Sequence, residues 1–378
     1  MSFNFLRILD LYLGKFCHAV FRMPKSKEVH TASCKKILLI KLWGLGNLVV
    51  LWPLVYKIKE KYPDALIFFL TFDLNKNFFE KNEAVYRTIY FKFTKNVFSI
   101  LVQCICILKK IRKEKLDMVI NFETQNNTSA IFSYLTKAPL RIGLNNSYEK
   151  TFYNYWFDNE RSLHISQLFS NPLKPLDINS TYRYGCFLRQ KEEESRVYDL
   201  LKDFKDKRYI CIHPGNSENF KRKRWNLDNF ADLSNRLINS YNLPLVFTGT
   251  MKESKLIENV INKIPAKGKI FNLAGRLKIW EFIELLRTTF LFISNDTGPV
   301  HIAATLGVNT VVFYGPTSPD RYMPLNKNSV IFYKDIKCSP CVGVNYTNAK
   351  CRNKYKCLDF DPKEIFLKIS ESFFKTKS

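Results

Sequence analysis

Residues 36–47 read KILLIKLWGLGN. An apolar run of strand length that stops at Gly44-Leu45-Gly46-Asn47 and passes into a helical pattern to about residue 61 is the entry to a βα unit with a buried parallel strand. The alternation continues outward from there. Apolar runs at 65–72, 89–93, 116–122 and 140–144 predict further strands, and helices are expected over 97–113 and 124–136. The segment 145–205 is less regular, with Asn171-Pro172 and Lys174-Pro175 and a charged helix near 191–203, and reads as a linker. The pattern restarts with YICIH at 209–213. Strands follow at 245–249, 269–273, 291–295 and 310–314, and helices at 227–240, 253–264, 279–288 and 299–306. Alternation of this kind predicts an α/β protein of two Rossmann-like, doubly wound domains. Facing one another, such domains would form a cleft at the carboxyl ends of their strands. The expected division is an N-terminal amphipathic helix (1–34), a first domain with linker (35–190), a second domain (191–337) and a cysteine-bearing C-terminal part (338–378).

The 378 residues suffice for two ordinary domains, and a 46% hydrophobic content excludes wholesale disorder. Lys and Arg number 59 against 34 Asp and Glu, a net charge of +25. That balance favours polyanions: nucleic acid, an anionic membrane face or phosphorylated substrates. No nucleic-acid motif accompanies it, so nucleic acid is not an expected partner. No apolar run is long enough to span a bilayer. Residues 3–23 are apolar but broken by Arg7, Asp10, Lys15 and His18, and lack a signal-peptide core. Phe5, Leu6, Leu9, Leu13, Phe16 and Val20 recur at helical spacing, as for a helix at a membrane interface or one docked on the protein's own core. Of the ten cysteines, Cys17, Cys34, Cys104, Cys106, Cys186 and Cys211 are scattered, several in apolar runs. They read as small buried hydrophobes in a reducing compartment. His18, His30 and His164 are expected in surface or linker roles.

Four loops carry the chemistry. SNDTGPVH at 294–301 ends a strand and starts a helix. Thr297 suits the N-cap, Pro299 the first turn, and Gly298 the close approach of a ligand. The unpaired N–H groups and the helix dipole there make an anion site, with Asp296 placed for sugar hydroxyls. His213-Pro214-Gly215-Asn216-Ser217 is a second strand-end loop, followed by Lys223-Arg224-Trp225, whose Lys223 would reach a pyrophosphate. In FTGTMKE at 247–253, Glu253 either accepts two hydrogen bonds from a ribose diol or complements a helix dipole. Gly44-Leu45-Gly46-Asn47 resembles part of a dinucleotide fingerprint but lacks the third glycine, so it is weak evidence for NAD.

Together SNDTGPVHIAATLGVNTVVFYGPTSPDRYMP, HPGN with KRW, TGTMKES, FNLAGRLKIWEFIELL and KLWGLGN resemble glycosyltransferase family nine, the lipopolysaccharide heptosyltransferases and their relatives. The resemblance runs from about residue 36 to 359 with the motifs in order. It implies a GT-B fold and an inverting transfer without a catalytic metal. The donor would be a nucleotide sugar, ADP-heptose in the best-known members, held by the second domain. Carried over by motif, Lys223 would hold phosphate and Glu253 the adenosine ribose. Asp296 would bind the donor sugar, and Thr297, Gly298, Pro299 and His301 would lie against the phosphates, with Asn216 and Ser217 lining the same site. The acceptor, an anionic glycolipid or glycan such as the lipopolysaccharide core, would sit on the first domain. The work would be cytoplasmic, with peripheral contact at the inner face of the bacterial inner membrane.

One departure matters. In the classical heptosyltransferases an Asp follows the second glycine of the first loop and acts as general base. Here that residue is Asn47, and a carboxamide takes no proton near neutral pH. Glu123 and then Asp73, both at carboxyl ends of first-domain strands, are the replacement candidates. A decayed transferase that only binds, a heptosyltransferase acting on protein, and a GT-B-type epimerase are the alternative readings. Finally, Cys338-Ser-Pro-Cys341 followed by Cys351 and Cys357 reads either as a four-thiolate structural zinc or iron site or as reduced thiols or disulfides.

Overall fold

A computed structural model describes residues 10, 12, 14, 15, 33–92, 94, 96–124, 126–145, 148–179, 187–202, 208–216, 218–265, 269–341 and 351–374. The chain divides into two compact units, Met1–Tyr182 and Arg183–Ser378. Each holds one six-stranded, all-parallel sheet.

The first sheet comprises β1 (Lys36–Ile40), β2 (Leu66–Phe72), β3 (Arg87–Phe91), β4 (Met118–Asn121), β5 (Leu140–Asn145) and β6 (Tyr155–Asp158), in the order β3-β2-β1-β4-β5-β6. Its helices of six residues or more are α1 (Leu45–Lys61), α2 (Val97–Glu114), α3 (Asn127–Leu135) and α4 (Ile165–Ser170). The second sheet comprises β7 (Ile210–His213), β8 (Leu245–Phe247), β9 (Ile270–Asn272), β10 (Leu291–Asn295), β11 (Asn309–Tyr314) and β12 (Ser329–Tyr333), in the order β12-β11-β10-β7-β8-β9. With it go α5 (Lys191–Leu200), α6 (Leu227–Tyr241), α7 (Ser254–Asn262), α8 (Ile279–Thr288), α9 (Gly298–Thr305) and α10 (Pro362–Ile369). In both units the winding reverses beside the first strand, between β1 and β4 and between β7 and β10. These are the switch points at which doubly wound sheets bind ligands.

The central strands are buried on both faces, which is why they appear in the sequence as unbroken apolar runs. Two strands escape that signal. β6 is an edge strand with alternating exposure, and its residues YWFD form no apolar run. β12 is the opposite edge of the second sheet and only half-buried. The stretch 145–205, read as a linker, therefore contributes a strand and the helix α4, which packs on α1. His164, expected in a surface or linker role, is buried there: its ring accepts from the Ser166 N–H while Gln167 accepts from the His164 N–H, a capping box for α4. Residues 357–369 are integral to the second unit. Cys357, Leu358, Phe360, Ile365 and Ile369 complete a core with Trp225, Phe230 and Phe313.

Among the scattered cysteines, Cys34 and Cys211 are buried as expected, Cys104 is half-buried and Cys106 is exposed. Cys17 and Cys186 lie outside the described residues, as do the six apolar positions of the N-terminal helix pattern. Asp10 of that segment is described. Its carboxylate accepts from the backbone N–H groups of Asn127 and Thr128 at 3.0 and 2.7 Å and so caps α3 from a distance in sequence.

Gly143 in β5 is tightly constrained: a Cβ there would lie 2.2 Å from the ring of the buried Tyr153. Gly143→Ala should destabilise the first unit by about 1–3 kcal/mol through overpacking, seen as a lower first transition in differential scanning calorimetry with the second unit's transition unmoved.

Candidate active site

The second unit's switch point is organised by Asn295, the last residue of β10. Its Nδ2 donates to the Pro214 carbonyl at 2.8 Å, across the gap to the loop after β7. Its Oδ1 accepts from the Trp225 N–H at 2.8 Å. Trp225 is fully buried against Phe313, and its indole N–H donates to the Phe360 carbonyl. This anchor fixes the short helical turn Glu218–Lys223 just before it. Arg224 ties back by donating to the Asn216 carbonyl at 3.3 Å.

Lys223 consequently reaches Asp296. Its ammonium stands 2.7 Å from Asp296 Oδ2, with both side chains largely buried. Thr317, from the loop after β11, donates to the same oxygen at 2.5 Å. A cation, a carboxylate and a hydroxyl thus converge at the carboxyl end of β10, next to the start of α9. Thr297 occupies the N-cap of α9 with an extended backbone, but its side chain makes no capping hydrogen bond. Thr297 thus holds the N-cap position expected of it without a side-chain bond, and its carbonyl accepts from the Val300 N–H at 3.1 Å. Gly298 and Pro299 form the first turn, with Pro299 contributing no N–H. His301 follows within α9 and is buried.

On the other side of β7, Glu253 closes a capping box: its Oε2 accepts from the N–H and the hydroxyl of Thr250, each at 2.7 Å. Its Oε1 faces Gly215, where a Cβ would come within 2.3 Å of it. Only glycine allows the loop after β7 to approach this carboxylate. One oxygen of Glu253 thus holds the turn and the other lies against the 213–216 loop. Asn216 is buried in that loop, and Ser217 lies outside the described residues. His213 donates to or accepts from Thr248 Oγ1 at 3.2 Å. Burial lowers its pKa, against the opposing pull of Glu253, so His213 is neutral near pH 7.

The first unit repeats the scheme with other residues. Glu123, two residues past β4, reaches across the switch point to the loop after β1. Its Oε1 accepts from the N–H groups of Leu42 and Trp43 at 2.5 and 3.1 Å and pairs with Lys41 at 3.0 Å. Both members of that ion pair are buried. From the β2 side, Asn75 donates to the Leu42 carbonyl at 3.0 Å and to Thr71 at 2.8 Å. Asp73 lies half-buried in the same helical turn, directly after β2. Asn47 lies in the first turn of α1, next to Gly44, whose φ of 85° is the left-handed conformation that glycine permits. Asn121 supports Glu123 by accepting from its N–H at 3.0 Å and donates to the Tyr153 hydroxyl at 2.8 Å.

Sequence reading passed over Asn295, Thr317, Lys41, Asn75 and Asn121. For three of them the signal was available, because Lys41, Asn121 and Asn295 are polar residues closing otherwise apolar strands. Thr317 and Asn75 stand in loops where nothing marks them.

The four C-terminal cysteines gather beside the loop after β11. Ser339 donates to the Gly315 carbonyl at 2.5 Å, and the Cys341 N–H to the Pro316 carbonyl at 3.0 Å. Burial, with the neighbouring Cys341, Cys351 and Cys338 thiols, pushes Cys357 up to about 11. All four thiols are free, and the described residues contain no group of three or more His, Cys, Asp or Glu side chains arranged to hold a metal ion. Four thiolates would be a donor set for zinc or iron.

Replacing Asn295 should be costly well beyond one side chain. Asn295→Ala strands the buried Trp225 N–H and removes the Pro214 tie, so the second unit should lose about 2–4 kcal/mol, measured by chemical denaturation followed through tryptophan fluorescence.

Comparison with known proteins agrees with this architecture. Residues 105–351 match the family described as glycosyltransferase family 9 (heptosyltransferase). Lipooligosaccharide heptosyltransferase 2 of Campylobacter jejuni is 25% identical over 331 residues, 85% of this chain and 93% of that protein. Among solved structures, a family 9 glycosyl transferase from Veillonella parvula aligns with a TM-score of 0.75 at 18% identity, covering 92% of this chain and 99% of the other. The E. coli ADP-heptose lipopolysaccharide heptosyltransferase II aligns with a TM-score of 0.70, also at 18% identity, over 89% and 98% of the two chains. Two six-stranded parallel sheets, the GT-B fold class, and a family match across more than half of the sequence lead to one conclusion: the chain belongs to glycosyltransferase family 9 and is a glycosyltransferase.

Proposed function

We propose that this enzyme transfers a heptose from ADP-heptose to a hydroxyl of a lipopolysaccharide-core type acceptor, with inversion and without a catalytic metal, at the cytoplasmic face of the inner membrane. The observation that carries the reading is the convergence of Lys223, Asp296 and Thr317 at the start of α9. The relatives named for ADP-heptose and for lipooligosaccharide heptosyl transfer support the choice of donor and acceptor.

In this mechanism the diphosphate sits against the N–H groups at the start of α9, where the helix dipole favours anions. Lys223 turns part of its charge from Asp296 to the leaving diphosphate, and Asp296 turns to the hydroxyls of the sugar. Glu253 takes the ribose through Oε1. The acceptor oxygen attacks the anomeric carbon, the bond to the diphosphate breaks, and the acceptor proton passes to a carboxylate of the first unit. Glu123 already spends Oε1 on three donors and holds the 41–43 loop. We therefore assign the proton to Asp73, which stands at the same strand edge and is more exposed.

Three variants test this. Lys223→Ala should weaken ADP binding about 10–100-fold by titration calorimetry. Wild-type protein that binds no ADP-, GDP- or UDP-sugar would sink the donor site outright. Asp73→Asn should lower kcat about 10²–10⁴-fold, leaving ADP affinity unchanged. Glu123→Gln leaves Lys41 buried without its charge partner and should cost the first unit about 3 kcal/mol, with a smaller effect on kcat. The opposite pattern would make Glu123 the base. Nucleotide binding with no transfer in any variant or the wild type would favour the binding-protein reading that Asn47 motivates.

A further inference from the structure

Helix α2 has a well-packed inner face and an outer face that the described structure leaves uncovered. Inward, Ile107 and Ile111 join the core formed by Leu38, Ile40, Phe68 and Leu70. Outward, Phe98 is 74% exposed, Leu101 55%, Val102 41% and Ile105 53%. At about 100° per residue, Phe98, Val102 and Ile105 climb a single stripe, with Leu101 at its border. About one turn further on, the same stripe continues as Lys109 and Lys113, both exposed, with Lys110 exposed beside it, while the exposed Arg112 donates to the Leu135 carbonyl at 2.7 Å. The only acidic residue of the helix is Glu114 at its end, and it is engaged by Lys36 and Arg87. The outer face is therefore apolar along its first half and purely cationic along its second.

We infer that this face of α2 rests on an anionic lipid bilayer, with Phe98, Leu101, Val102 and Ile105 entering the headgroup–acyl boundary and the cationic half meeting lipid phosphates. Apolar side chains next to a basic cluster on one helix are the composition of an interfacial helix. The charge of the chain decides between occupants. At +25, a second copy would present like charge to the cationic half, whereas an anionic bilayer neutralises it. No described helix is long and apolar enough to cross a membrane, so the contact lies on the surface. Lipid binding needs neither donor nor acceptor, and its outcome is separable from that of the transferase reading.

The test is flotation of the full chain with phosphatidylcholine vesicles, with and without phosphatidylglycerol. Wild type should float with the anionic vesicles and far less with the neutral ones. The triple variant Phe98→Ser, Leu101→Ser, Ile105→Ser alters only exposed side chains, so its unfolding temperature and ADP binding should match wild type. Its partitioning should fall about a hundredfold. Lys109→Gln, Lys110→Gln, Lys113→Gln should lower partitioning about tenfold or more and blunt its salt dependence. Wild type that stays with the neutral and anionic vesicles alike in the bottom fraction overturns the inference. So does a serine variant that floats as wild type does. A serine variant that instead converts a dimer to a monomer in sedimentation, with no lipid binding by either protein, assigns the face to a second copy.

Discussion

Where a parallel sheet reverses its winding, two neighbouring strands send their following chains in opposite directions, and the loops between them have no ladder to hold them. In the second unit that gap is bridged by one amide. Asn295 uses its donor on the loop after β7 and its acceptor on the backbone of Trp225. The cationic pair of the site depends on those two bonds, because Lys223 and Arg224 are positioned by the Trp225 anchor that Asn295 receives. The first unit solves the same problem with a carboxylate: Glu123 holds three donors of the loop after β1. A carboxylate can do so while buried only because Lys41 compensates its charge.

Two opposite charges meet at the second unit's switch point. Lys223 and Asp296 neutralise one another in a largely buried position, and Thr317 fixes the carboxylate from the far side. His213, though central, is kept neutral by burial. Lys223 is held in one orientation by its partner, beside the start of α9.

The sequence was most legible where one physical rule acts alone. Strands buried on both faces must be apolar throughout, so β1, β4, β10 and β11 stood out. The edges β6 and β12 obey a weaker rule and were passed over. In the site, the loops with glycine and a helix start were readable because backbone geometry demands those residues at those places. The partners of the charged groups were harder, since their meaning comes from strand register. Trp225 and Asn295 meet across seventy positions of chain, and Thr317 becomes a ligand of Asp296 only because β11 lies beside β10. The cysteine segment adds a contact that its spacing did not announce: its described backbone buttresses the loop that carries Thr317.

The place of Phe360 has a consequence for biosynthesis. Its carbonyl receives both the Trp225 indole and the Asn229 amide, and its ring lies among Phe313 and Phe332. The first unit draws its core from residues that leave the ribosome early, and such domains can fold while synthesis continues. The second unit keeps its tryptophan without its final neighbours until residues 357–369 emerge. During translation the nascent enzyme would thus pass through an interval with its first unit formed and its second still unsealed, the stage at which chaperone capture matters most.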